Sequence, residues 1–215
     1  DALIEVRTLA IQAANDTLSP SDRENIAQRM DEFNELIFKL THERYSGRYV
    51  FSGTRTDDPP FVRDGDDVVY QGNSAHIRVN IGEGAPVAFN LTGDEVFMGI
   101  GDQGRSLFKL LSDLAAAIRQ GDARRVGGEL LGEIDEALDR VAEKLGVVGA
   151  VAQRLEKMEE VISGLMVKHR ELLSLAEDAD LAEAVMDFQF KQTAYQASLA
   201  ACARAIMPTI LDYLK

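Results

Sequence analysis

The chain has 215 residues, 46% hydrophobic and 27% charged, and a formal net charge of −13. That length and composition give a folded protein with a sizeable core, and the negative balance argues against nucleic acid and anionic membrane surfaces as partners. No apolar run is long enough to span a bilayer, and the single cysteine, Cys202, cannot form an internal disulfide.

Asp1 to Asn15 already has a helical pattern but carries no start signal, so the chain reads as beginning inside a helix, as a fragment or processed chain would. Ser19, Pro20 and Asp22 form a helix start: a capping hydroxyl, a proline suited to the first turn and a capping-box carboxylate. The helix they open places Ile26, Met30, Phe33, Ile37 and Leu40 on one face and is expected to run to about Tyr45. From Gly47 to Gly104 the composition turns to glycine, proline and short alternating runs. Val68 to Tyr70, Ile77 to Ile81 and Val87 to Leu91 read as strands, with a hairpin turn at Gly82-Glu83-Gly84. This stretch reads as a small antiparallel β subdomain inserted between helices, anchored by Phe51, Phe61 and Phe97.

Helices resume at Ser106. Leu107, Leu110, Leu111, Leu114 and Ile118 line one amphipathic helix ended by Gly121, and Asp122 caps a longer one expected to continue to about Ala176. The last third carries apolar residues at gaps of three and four. Leu155, Met158, Ile162, Leu165 and Leu172 form one seam; Leu181, Val185, Phe188, Tyr195, Leu199, Cys202 and Ile206 form a second. This is coiled-coil spacing, and such a seam needs partner helices. The expected partner of the first seam, from Leu138 to Leu172, is the face bearing Phe33 and Ile37, with ~1.5–3 kcal/mol for each side chain fully buried. A charge at Leu155 is then expected to unfold the bundle. Cys202 on the second seam reads as a small buried hydrophobe.

The motifs that suggest chemistry lack their context. Gly99-Ile100-Gly101-Asp102-Gln103-Gly104 is a literal GxGxxG, but helices follow it where a dinucleotide fold needs a second parallel strand, so it reads as a loop. Ser106-Leu107-Phe108-Lys109 matches the acylating SxxK pattern without its companion motifs, and Ser106 reads as a helix cap. His42, His76 and His169 have no metal-ligand spacing, and Asp64 to Asp67 reads as a solvated turn. Carboxylates in Glu177 to Asp180 are placed to cap the helix starting near Leu181. No catalytic, cofactor or metal site is assigned.

Three stretches carry a family resemblance. Leu9 to Ser19 resembles the LAVQAANGTLS signature of flagellins, Leu145 to Leu155 resembles their LGAVQNRL turn, and Glu177 to Ala184 with Tyr195-Gln196-Ala197 resembles their EDADLAEA…YQA pattern. Gly47 to Thr54, Asp57 to Phe61, Tyr70 to Gly72 and Thr92 to Phe97 resemble the hook-associated, hook–filament junction branch of that family. The resemblance implies a mainly α fold with an inserted small β subdomain on a long antiparallel helical bundle, the β part facing outward from the tube. It divides the chain into rod helices at 1–46, the β insertion at 47–104, further rod helices at 105–179 and a terminal helix at 180–215. It implies a non-enzymatic structural subunit outside the cell, exported without a cleaved signal peptide. Its partners would be the preceding junction protein, flagellin, copies of itself in a ring and an export chaperone on the C-terminal helix. In this family a helix from the extreme N-terminus pairs with the terminal helix, and the resemblance leads us to expect that helix to be missing here and the second seam to lack its usual partner. Phe33, Ile37, Leu155, Ile162, Leu181, Val185, Phe188, Tyr195, Leu199 and Ile206 are the expected packing and assembly residues. A short flagellin forming the filament and a secreted coiled-coil binding module are the rival readings.

Overall fold

The computed structural model describes residues 1–15, 17–65, 67–81, 86–102, 104–177 and 181–211, the side chains of 176, 177, 181 and 206–211 excepted. It divides into two compact units, Asp1–Met158 and Glu159–Lys215.

The first unit is built around a helix that the sequence does not mark as central. Helices α1 (Ala2–Ala13) and α2 (Pro20–Thr41) lead into strands β1 (Arg44–Tyr45), β2 (Arg48–Tyr49), β3 (Phe61–Asp64), β4 (Asp67–Tyr70), β5 (Arg78–Asn80) and β6 (Pro86–Ala88). Helices α3 (Gly93–Phe97), α4 (Leu107–Gln120) and α5 (Ala123–Arg125), a π turn (Val126–Leu130) and the first part of α6 (Leu131–Glu177) follow. Helix α4 buries eight residues: Leu107, Phe108, Leu110, Leu111, Leu114, Ala115, Ala117 and Ile118. It therefore presents apolar surface on several sides, which only an interior helix can do.

The local signals that start these helices behave as their chemistry requires. The Ser19 hydroxyl accepts from the Asp22 amide and donates to the Asp22 carboxylate at 2.6 Å. The Ser106 hydroxyl accepts from the Lys109 amide at 3.1 Å. Gly121 ends α4 in the left-handed conformation, and the Asp122 carboxylate caps α5 through the Arg125 amide.

Helix α2 packs most extensively on α4, a partner the sequence reading did not give it. Met30 and Ala27 are fully buried there, and the Asn34 side chain donates to the Phe108 carbonyl and to Ser112 Oγ, both at 3.0 Å. Arg119 at the end of α4 reaches Asp31 at 2.5 Å and Glu24 at 3.2 Å. Helix α2 also stops at Thr41 rather than Tyr45. Ser46 and Gly47 both take positive φ, at 50° and 80°, and so close a two-residue hairpin between Arg44↔Tyr49 and Tyr45↔Arg48. A residue pairing in a hairpin cannot continue the helix.

The insertion is antiparallel throughout its described strands, but it consists of three separate two-stranded ribbons: β1–β2, β3–β4 and β5–β6. The expected glycine turn of the last ribbon, 82–84, lies outside the described residues; the register Arg78↔Ala88 to Asn80↔Pro86 is described on either side of it. Each ribbon is too small to fold alone, so the insertion relies on aromatic contacts to the helices. Phe61 is fully buried. Its ring lies 5.1 Å from Tyr70, 5.7 Å from Phe97 and 5.2 Å from Phe108 of α4, and Phe51 lies 5.3 Å from Phe97.

The helix expected to run unbroken from Asp122 is interrupted by the π turn at Val126–Leu130. The turn contains Gly127 and Gly128, whose low helix propensity makes the widened turn cheaper to form. It lets Val126 and Leu130 both reach full burial, followed by Ile134 and Ala137 of α6.

Candidate assembly surface

In the second unit, the remainder of α6 and helix α7 (Leu181–Leu211) are long helices whose described side chains between residues 159 and 205 are all exposed. Ile162 is 48% exposed, Val185 47%, Phe188 67%, Tyr195 64% and Leu199 52%. Cys202 is exposed too, contrary to the buried role its seam position suggested. Leu155, at the end of the first unit, is 41% exposed and is not buried as its seam position suggested, whereas Leu138, at the start of the same seam, packs on the core cluster that holds Ile37. The other α2 assignments divide: Ile37 is buried and Phe33 half-buried against the core. The side chains of Leu181 and Ile206, and the caps assigned to 178–180, lie outside the described residues. Exposed apolar patches of this extent mark surfaces that meet another molecule.

The first unit carries its own apolar recess, of about 570 Å³. Leu3 and Ile4 of α1, Ile37 and Leu40 of α2, Phe97 of α3 and Leu138, Val141 and Leu145 of α6 line it. No periodicity within one element forecasts this groove, because its lining is shared among several helices distant in sequence.

A polar lock beside the groove was equally invisible from spacing. The loop of the GxGxxG motif closes on itself through an Ile100↔Arg105 bridge and is then held by α6. Arg140 donates to the carbonyls of Met98 and Gly99, and Glu136 accepts from the Gly101 amide at 3.0 Å. The Arg105 guanidinium, almost buried, meets Asp113 at 3.2 Å, Glu129 at 3.0 Å and Glu133 at 3.3 Å. Burial raises the Glu133 carboxyl above its ordinary range despite the opposing pull of Arg105, and Glu129, Glu136 and Asp113 raise it further. Its Oε2 is buried with no partner among the described residues. Gly101 sits at φ +68°, and a Cβ there would lie 2.4 Å from Glu133 Oε1. The glycine thus serves close packing against α6, not a phosphate. The signal available in the sequence was the acidic ladder Glu129, Glu133 and Glu136 interleaved with the apolar residues Leu130, Ile134 and Ala137.

Two further groups tie the insertion down. Tyr70 Oη lies 2.9 Å from the Phe51 carbonyl and 3.0 Å from that of Asn73. Burial, opposed by the Gly93 amide, pushes the phenol up to about 12. Burial would raise the Asp94 carboxyl, but hydrogen bonds from Ser74, Thr92 and the amides of Asp94 and Glu95 outweigh it and hold the group below its usual range. Among the described residues no three His, Cys, Asp or Glu side chains are grouped to hold a metal ion, and no helix is long and apolar enough to cross a membrane.

Residues 131–214, which hold all of α6 and α7, match the family described as the bacterial flagellin C-terminal helical region. Two curated relatives are similar over most of the chain. Flagellar hook-associated protein 3 of Escherichia coli is 23% identical over 89% of this chain and 66% of its own length. Flagellin FlaB2 of Treponema pallidum is 24% identical over 97% of this chain and 68% of its own length. The chain thus spans about two thirds of the relatives it matches. Among solved structures, flagellar hook-associated protein 3 of Legionella pneumophila superposes with a TM-score of 0.74 at 17% identity, covering 83% of this chain and 88% of that one. The fold is therefore that of this group: mainly helical, with small antiparallel strand pairs and a flagellin C-terminal region of long helices.

Proposed function

We propose that the protein is a structural subunit of the bacterial flagellum at the hook–filament junction, adapting the hook side to the flagellin filament. The observation that carries this reading is the continuous exposure of α7 and the end of α6: Ile162, Val185, Phe188 and Leu199 stand in water and require cover by other helices. The flagellin C-terminal family match over the same residues and the similarity to a hook-associated protein point the same way. In this reading the four divisions at 1–46, 47–104, 105–179 and 180–215 keep the roles of rod, insertion, rod and terminal helix. The partners are the preceding junction protein, flagellin and copies of this chain in a ring, with an export chaperone on the terminal helix. The protein works outside the cell and catalyses no reaction.

The test is electron microscopy of flagella from a strain lacking the gene. Hooks without filaments, with flagellin lost to the medium, support the proposal; normal filaments overturn it. A second reading, a short flagellin forming the filament body, is favoured by the similarity to flagellin FlaB2 over 97% of the chain. Self-polymerisation of the purified full-length protein into long filaments decides for that alternative.

A further inference from the structure

We propose that the outer face of the β1–β2 ribbon docks on the acidic turn Asp139–Glu143 of α6 in a second copy of this chain. The proposal rests on the reading above that copies of the chain meet in an assembly, and it names a surface for that meeting. Residues directly opposite in an antiparallel ribbon share a face. Arg44 and Tyr49 form one such pair, and Tyr45 and Arg48 the next. The first pair is engaged within the molecule. Arg44 donates to Tyr49 Oη at 2.6 Å and lies 4.1 Å over its ring, and that ring stands edge-on to His42 of α2, 6.0 Å away. The second pair faces solvent. Tyr45 is 80% exposed, the most of any aromatic side chain described. Arg48 is exposed and makes no hydrogen bond or ion pair among the described residues, with Glu43 of the facing strand or with any other group. The Val50 amide extends the ladder to the Glu43 carbonyl, and its half-exposed side chain falls on the same face by alternation.

Tyrosine and arginine are the side chains that most often anchor protein interfaces. Here they are held ready: the Ser46–Gly47 turn fixes the ribbon, and the Tyr49 amide donates to the Thr56 carbonyl at 2.9 Å. Little conformational freedom remains to be lost on docking. The chain carries a net charge of −13, so a phenol–guanidinium face is attracted to other copies of the same molecule. Helix α6 supplies the complementary surface. Of its carboxylates, Asp135 pairs with Arg7 and Glu136 with Arg140. Asp139 and Glu143 are exposed, one turn apart, and take no cation among the described residues. Like charges at that spacing repel, and a guanidinium set between them relieves both. The ribbon of one copy on α6 of the next leaves a free ribbon at one end and a free helix at the other. Such a head-to-tail contact builds rings or filaments rather than closed dimers.

The test is sedimentation velocity of the purified full chain at low ionic strength. The wild type should self-associate, and added salt should weaken the association. Arg48→Glu should weaken it about tenfold, and so should Asp139→Lys with Glu143→Lys; combining all three changes should restore it. The three positions are exposed, so every variant should melt as the wild type does, which separates docking from folding. A second readout locates the contact. In an equal mixture of unlabelled and isotopically labelled Arg48→Lys chains, a water-soluble carbodiimide should join the new amine to Asp139 or Glu143 of the other chain. Association unchanged by both charge reversals, or links from position 48 that fall on other carboxylates or stay within one chain, overturns this surface and leaves the assembly reading standing. A wild-type chain that stays monomeric at every concentration overturns the docking together with the self-association in that reading.

Discussion

Replacing Phe61 by alanine should destabilise this protein more than truncating any side chain on the exposed stretch of α6 and α7 beyond Met158. The ring is fully buried and meets Tyr70, Phe97 and Phe108 at centroid distances between 5.1 and 5.7 Å. Phe→Ala in such a site costs about 3–5 kcal/mol, part of it from the lost aromatic pairs. For a folding unit of this size each kcal/mol lowers Tm by roughly 2–4 °C, so the loss is about 6–20 °C. The companion measurement is Leu155→Asp. The seam pattern alone expects that charge to unfold the bundle. In the structure Leu155 is 41% exposed, and the aspartate stays in water, with an expected effect within about 0.5 kcal/mol. Circular dichroism melts of the two variants at equal concentration make the comparison. A Phe61→Ala shift below about 3 °C, or a Leu155→Asp shift as large as that of Phe61→Ala, would refute the assignment of the core.

Other outcomes follow from single groups. Gly101→Ala should destabilise by about 1–3 kcal/mol in denaturant titration, since its φ is positive and its Cβ meets Glu133, whereas Gly132→Ala, with open space around it, should stabilise by up to ~1 kcal/mol. Tyr70, neutral when protonated, is raised from 10.0 to about 12 in the folded chain. The protein should lose that part of its stability as pH climbs from the first value to the second, and Tyr70→Phe should flatten this loss in alkaline melts. Asp94 is lowered, so its contribution is present above its unfolded value and is lost as pH falls through the folded one. Asp94→Asn should accordingly cost stability at neutral pH and nothing in strong acid. Glu133 is raised, the opposite sign: its burial favours the folded state only while protonated, so the Glu133→Gln variant should gain on the wild type as pH rises above the usual carboxylate range.

The parts of this fold that were legible in the sequence depend on neighbours along the chain. The caps at Ser19, Ser106 and Asp122, the stop at Gly121 and the amphipathic face from Leu107 to Ile118 all act within one or two turns, and each appears where local chemistry places it. Strands β4 and β5 fall within a residue of the alternating runs, whereas β6 overlaps its run but ends at Ala88 instead of Leu91, and β1, β2 and β3 were not read as strands. What escaped depends on partners distant in sequence. A heptad-like stripe states that a helix needs cover but not where the cover comes from. The stripe from Leu155 onward was therefore paired with α2, when α2 in fact covers α4. The Ser46–Gly47 turn was read as the end of a helix because glycine marks both a helix stop and a hairpin; only the pairing of Arg44 with Tyr49 separates the two. The π turn arises from packing and leaves no periodic trace, and the acidic ladder of Glu129, Glu133 and Glu136 does not by itself name Arg105 as its partner.

The central claim is that the apolar surface from Ile162 to Cys202 is bare in the single chain and covered in the assembled flagellum. Cys202, the only thiol, reports on it directly. Labelling with a polymer-linked maleimide should modify Cys202 rapidly in the purified protein and leave it protected in intact sheared flagella, becoming reactive again once those flagella are dissociated. Equal labelling in the free and assembled states would contradict the account.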